Sequence, residues 1–130
     1  MNITVIAIGK LKEKYWTDAV KEYSKRLGGY CNLNIIELKE SPLRANPSAA
    51  DEEAVKVAEG NDILSRIKPS DYVIAMTIPG KQWDSPGLSR HVDDLMTRGQ
   101  SNLVFLIGGS LGLSDRVLAR ADEEMSMSKM

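Results

Sequence analysis

The run Leu103-Val104-Phe105-Leu106-Ile107 passes without a break into Gly108-Gly109-Ser110-Leu111-Gly112, and Ser114 and Asp115 then open a helical pattern. An uninterrupted apolar run ended by glycine reads as a strand covered on both faces, the habit of parallel sheets. Glycines at a strand exit let a ligand approach the backbone, and the N-terminus of a following helix offers free N–H groups. The loop is not a P-loop, because no Lys-Ser or Lys-Thr follows its last glycine. It also misses the GxGxxG spacing and belongs to the fourth strand rather than the first, which weakens a dinucleotide reading. A ligand loop and a plain tight turn are both compatible with it.

The same strand-then-helix cycle recurs on either side. Residues 2–8 form an apolar run ending at Gly9, and a helix from about Glu13 to Leu27 follows, stopped by Gly28-Gly29. A second strand spans residues 33–38, and the Pro-containing segment 39–48 is a loop. A helix over about Ala50–Ile67 carries Ala54, Val57, Ala58, Leu64 and Ile67 on one face, with Asp51, Glu52 and Glu53 in its first turn where the helix dipole favours them. Pro69-Ser70-Asp71 leads into a third strand over residues 72–78, which Pro79-Gly80 is expected to end. Asp84 or Ser85 caps the next helix, with Pro86 in its first turn and Leu88, Val92, Leu95 and Met96 as its buried stripe. The stretch Met125–Met130 is β-compatible. Alternation at this spacing predicts an α/β domain over residues 1–130, with a mostly parallel sheet and helices on both faces. Ligands of such sheets bind beyond the carboxyl ends of the strands, so the loops after Gly9, Ile78 and Ile107 are the ones of interest.

Composition narrows the chemistry. The 130 residues are 42% hydrophobic and 27% charged, which argues against wholesale disorder, and a net charge of −1 argues against coating nucleic acid by charge alone. Residues 1–30 hold six Lys/Arg against three Asp/Glu, whereas 31–62 hold three against seven. That first excess is either a solvated helix face or an RNA-contacting patch. Cys31 is the single cysteine, so no internal disulfide forms and a reducing, cytoplasmic home is expected. No stretch approaches the length of a membrane span. His91 is the only histidine and reads as structural, and with one Cys and one His no zinc cluster assembles. Adjacent carboxylates such as Asp93-Asp94 and Glu123-Glu124 read as solvated faces. Trp83 is either a stacking platform or a lid over the core. Chemistry in which a cofactor carries the reactive group and the protein supplies position remains.

Three stretches together resemble the ribosomal RNA large subunit methyltransferase H family. They are Ile6–Lys12 with Tyr15-Trp16 and Glu22–Leu27; Ile78-Pro79-Gly80-Lys81 with Ser85 and Leu88; and Phe105–Leu113 with Ser126-Met127-Ser128-Lys129-Met130. The resemblance runs along the whole chain in order. It implies a SPOUT-type α/β knot, a homodimer, S-adenosylmethionine as methyl donor, and methylation at N3 of a pseudouridine in 23S rRNA on assembled ribosomes, with no membrane and no metal involved. By position it implies cofactor contacts at Met76, Gly108, Gly109, Met127, Ser128, Lys129 and Met130, with Ile78 a neighbour. It assigns no catalytic base.

Lys10, Lys12 and Lys14 follow the first strand at the ligand end and are the expected contacts to rRNA phosphates. Family members continue past the Ser-Lys-Met stretch into a further loop, helix and tail, so the chain reads as the family domain shortened at its C-terminus. Two alternatives stand beside the enzyme: a catalytically inactive, dimerising or ribosome-binding module of the same fold, and an unrelated nucleotide-binding protein.

Overall fold

The computed structural model describes residues 2–9, 32–43, 45–82, 84–109 and 111–126. Within them run strands β1 (Asn2–Ile8), β2 (Asn32–Leu38), β3 (Tyr72–Gln82), β4 (Asn102–Ile107) and β5 (Glu123–Ser126). Three helices alternate with the later strands: α1 (Ala49–Leu64), α2 (Ser85–Thr97) and α3 (Asp115–Arg120). The expected helix over 13–27 and the aromatic Trp83 lie outside the described residues.

The strands form one sheet in the order β2-β1-β4-β3-β5, and every neighbouring pair is parallel. This is the expected α/β architecture. β1 lies inside the sheet, in register with β2 (Val5 opposite Ile35) and with β4 (Val5 opposite Phe105). Its residues Ile3, Val5, Ile6, Ala7 and Ile8 are buried, as a doubly covered strand requires.

Two apolar layers flank the sheet. On one face Ile6, Ile8, Val73, Val104 and Leu106 meet Ile63 of α1 and Val117 of α3. On the other, Ile3, Ile74 and Leu103 meet Leu88, Val92 and Leu95 of α2. Their placement follows from the hand of the crossovers. The connections β2 to β3 and β4 to β5 both step toward the β5 edge and carry their helices over the first face. The connection β3 to β4 steps back and carries α2 over the second, as one common hand demands.

The helix starts are chemically specified. Ser48 and Asp51 form a reciprocal capping box, with Asp51 N–H to Ser48 Oγ at 3.1 Å and Ser48 N–H to Asp51 Oδ2 at 2.9 Å. Asp84, rather than Ser85, caps α2 by accepting from Gly87 N–H at 2.7 Å, and Ser114 caps α3.

Three expectations need correction. The stripe Ala54, Val57, Ala58 on α1 is not buried, Val57 being 44% exposed, and the buried residues of this helix are Glu59, Gly60 and Ile63. Only the C-terminal half of α1 lies on the sheet, so an apolar stripe in its first half has nothing to pack against. Met96 on α2 is likewise 38% exposed while Leu88, Val92 and Leu95 are buried. Finally, β3 does not end at Ile78. Its pairing with β5 stops at Met76 and resumes at Lys81, with Met125 opposite both. Residues 77–80 are an irregularity, unpaired with β5, within a continuing strand.

Gly60 sets how closely α1 can approach α3. A Cβ there would lie 2.5 Å from Ser114 Oγ, the cap of α3, and 3.0 Å from Val117. On an exposed helix, glycine to alanine gains about 1 kcal/mol. At this site Gly60→Ala should instead lower stability by about 1–3 kcal/mol, the usual cost of overpacking, as read by urea denaturation.

Candidate functional site

Three strand exits converge at the carboxyl end of the sheet. β1 runs out through Gly9, whose φ of +84° suits glycine and whose N–H donates to Leu38 O at 2.6 Å. β4 runs out through Gly108 and Gly109. A Cβ on Gly108 would sit 2.8 Å from the carbonyl carbon of Gly112, so glycine is required for the loop to fold back on itself. The Gly112 N–H donates to Gly109 O at 3.0 Å, and Gly112 takes a φ of +81°. The structure shows the tight turn of the two readings, closed by backbone alone.

β3 supplies the next wall. Its register with β4 ends with Ala75 opposite Leu106, which leaves Met76 one residue and Gly108 two residues beyond the last pair. Met76 is partly buried and packs against the α2-side core, in register with the fully buried Met125. In the irregular stretch that follows, Thr77 Oγ1 is buried with no hydrogen-bond partner among the described residues. Gly80 rides directly over Met125, where a Cβ would lie 2.6 Å from its backbone N. β5 ends at Ser126, immediately before the stretch 127–130.

A pair of carboxylates closes the β2 side. The buried Glu59, 6% exposed, accepts the Ser41 N–H through Oε2 at 3.0 Å. A Cβ built on Gly109 would stand 3.0 Å from Glu40 Oε1, 3.0 Å from Ile8 Cγ2 and 3.4 Å from Glu59 Oε1. Burial lifts the Glu59 carboxyl above its ordinary value; the Ser41 N–H opposes the shift and the negative Glu40 adds to it. Sequence reading missed Glu59. A signal existed: Val55, Glu59 and Ile63 recur at four-residue spacing, so the carboxylate sits on the line of α1 that turns inward.

The expected cofactor residues Met76, Gly108 and Gly109 thus lie together at this end. Met127, Ser128, Lys129 and Met130, and the lysines Lys10, Lys12 and Lys14, lie outside the described residues. So does Ser110. Among the described residues no group of three or more His, Cys, Asp or Glu could hold a metal ion, and no helix is long and apolar enough to cross a membrane.

The opposite end of the sheet has a structural role. His91 Nε2 and Glu123 Oε1 pair at 2.5 Å, tying α2 to the start of β5. Tyr72 lies beside the same carboxylate, and burial followed by that negative neighbour pushes its phenol up to about 12. Asp122 is held to β3 by Val73 N–H to Oδ2 at 2.7 Å and by its own N–H to Val73 O at 2.8 Å. His91 is a bonded structural histidine, as expected.

Residues 1–130 match the family model described as "Predicted SPOUT methyltransferase". The chain is 53% identical over its whole length to the Ribosomal RNA large subunit methyltransferase H of Clostridium acetobutylicum, covering 82% of that protein. The proteins of the same name from Clostridium beijerinckii and Clostridioides difficile are 50% and 48% identical, again over all of this chain and 82% of the relative.

The Glu59 shift has a stability consequence. A carboxyl whose folded value is raised costs stability when ionised, and that cost fades as pH falls through the folded value. Glu59→Gln keeps an oxygen for Ser41 and removes the charge. It should therefore unfold at higher urea than wild type at neutral pH, with the difference vanishing toward the ordinary glutamate value of 4.5.

Proposed function

The chain belongs to the SPOUT methyltransferase family, and from this we propose that it is an S-adenosylmethionine-dependent methyltransferase acting at N3 of a pseudouridine in 23S rRNA on assembled ribosomes. The relatives' name, a large-subunit ribosomal RNA methyltransferase, supports the substrate class. The observation that carries the reading is the backbone-built cradle at the carboxyl end, where Gly108 faces Gly112 with no room for a Cβ. A flat, partly polar cofactor needs such a surface. It also needs an apolar wall, and Met76 offers one.

In this reading Met76, Gly108 and Gly109, with Met127, Ser128, Lys129 and Met130, hold the donor. When bound, the donor supplies a methyl group on a positively charged sulfur. The protein's task is alignment of that methyl with a ring nitrogen, and alignment of this kind is worth up to about 7–11 kcal/mol without a metal. The nitrogen carries a proton that a base or solvent must accept. Lys10, Lys12 and Lys14, which follow β1 in sequence, would hold rRNA phosphates, an interaction that positions the substrate without reading its sequence. The protein works as a homodimer in the cytoplasm, where its ribosomal substrate resides.

Calorimetry with S-adenosylmethionine tests the donor site directly. Binding is expected for wild type, with at least a tenfold loss in Gly108→Ala. The absence of binding by wild type would leave the non-catalytic, ribosome-binding module in its place. Replacing Lys10, Lys12 and Lys14 together by glutamine should weaken ribosome binding and lower the slope of log affinity against log salt by about 2–3, at roughly 0.7–0.9 for each phosphate that is no longer neutralised. Unchanged methylation at physiological salt would remove these lysines from the interface.

A further inference from the structure

The β2–α1 loop and the β4–α3 loop come from strands that are not neighbours, since β1 lies between β2 and β4. Something must hold the two loops in register across that gap. The group placed to do so is Glu59. It projects from the half of α1 that lies on the sheet, and Ile63, one turn later, is buried in the core. One carboxylate oxygen accepts the backbone N–H of Ser41 in the β2–α1 loop at 3.0 Å. The other lies 3.4 Å from where a Gly109 Cβ would stand, in the β4–α3 loop. A single side chain thus bonds one loop and faces the backbone of the other.

Its neighbours remove the alternatives for where the loops can sit. Glu40, next to Ser41, reaches to 3.6 Å from a Cβ position on Gly9 and 3.0 Å from one on Gly109. The turn after Glu59 is braced as well, because Gly60 packs on Ser114, the residue that caps α3 at the end of the glycine loop. Helix α1 therefore meets the β4–α3 segment at both ends, through Glu59 at Gly109 and through Gly60 at Ser114. A buried ionised carboxylate is a costly brace compared with an apolar residue of similar size. Such costs are kept where geometry at a functional site depends on them.

We propose that Glu59 is a positioning residue of the methyl-donor site: by gripping the Ser41 N–H and abutting Gly109 it sets the glycine loop at the distance from β2 that donor binding requires. The inference rests on the donor-site assignment made above. Glu59 does not itself touch the donor; it acts through the backbone of Gly109.

The test uses the full chain and three variants. Glu59→Ala removes the brace, Glu59→Gln keeps an acceptor oxygen, and Ile63→Val loosens the same helix by one buried methyl while leaving the Glu59–Ser41 bond in place. Amide exchange without ligand reads the brace, and calorimetry with S-adenosylmethionine reads its consequence. In Glu59→Ala the Ser41 and Gly112 amides should exchange at least tenfold faster, and the donor dissociation constant should rise about tenfold. Glu59→Gln should restore both to within threefold of wild type, and Ile63→Val should leave the donor constant within twofold. If Glu59→Ala fails to fold, Glu59→Gln and Glu59→Leu carry the comparison, with Leu matching the volume and lacking an acceptor.

Faster exchange at Ser41 with unchanged Gly112 exchange and unchanged donor affinity would overturn the proposal. So would equal donor losses in Ile63→Val and Glu59→Ala, since general destabilisation would then explain both. A wild-type chain that binds no donor would overturn the donor-site assignment instead. The Gly112 amide would then decide alone whether Glu59 braces the loop.

Discussion

At the carboxyl end of this sheet, backbone lies on backbone at distances that no Cβ would allow. Gly108 folds onto Gly112, and Gly80 rides over Met125, each with a hypothetical Cβ under 3.0 Å from main-chain atoms. Everything else at this end is arranged around those approaches. β3 can leave its ladder after Met76 and rejoin it at Lys81 because Gly80 clears the β5 backbone. The β4–α3 loop can close within a few residues because Gly108 clears Gly112. Side chains are excluded from these approaches, so main chain packs directly on main chain there.

A site of this kind carries little charge of its own, and the nearby carboxylates matter more for it. Glu59 is buried and is raised above its ordinary value by that burial, with Glu40 adding to the effect. The Ser41 N–H partly offsets the cost. The net result is an electrostatic load on the folded state, set where α1 meets the loops. Elsewhere on the same face the packing is plain: Ile63, Val73, Val104, Leu106 and Val117 interlock without polar atoms. The costly residue of α1 is the one that bonds one ligand-end loop and faces the other.

Much of the architecture could be read from the chain. The apolar runs at 2–8 and 103–107, the glycines that end them, and the capping residues Ser114 and Asp84 all act locally, so their consequences follow from neighbours in sequence. The errors arose where tertiary reach decided the outcome. The stripe Ala54-Val57-Ala58 has good helical periodicity, yet the helix overhangs the sheet there and the stripe is left unburied. Pro79-Gly80 has the chemistry of a strand end, yet β5 offers a partner beyond it and pairing resumes. Glu59 was overlooked because a glutamate in a helix is normally solvated, and only the fold of the β2–α1 loop brings Ser41 to it. Met76, Gly108 and Gly109, proposed as donor residues, lie at one end of the sheet, whereas nothing in the sequence announces the irregularity of β3 in which the Thr77 hydroxyl is buried.

The two ends of the sheet divide the work by material. The amino end is fastened by side chains: His91 and Tyr72 converge on Glu123, and Asp122 doubles its bonds to Val73. The carboxyl end is fastened mostly by main chain, through the close glycine approaches and the Gly112 to Gly109 bond. β5 is short and lies at the sheet edge, so on its own it would be weakly held. Anchoring its first residues through Glu123 and Asp122 fixes its direction before it reaches Met125 and Ser126. The start of β5 is thus locked to Val73, 49 residues away in sequence; the stretch 127–130, which holds four of the seven proposed donor residues, follows it in sequence. In the proposed reading, the side-chain network around Glu123 would support donor binding from the opposite end of β5.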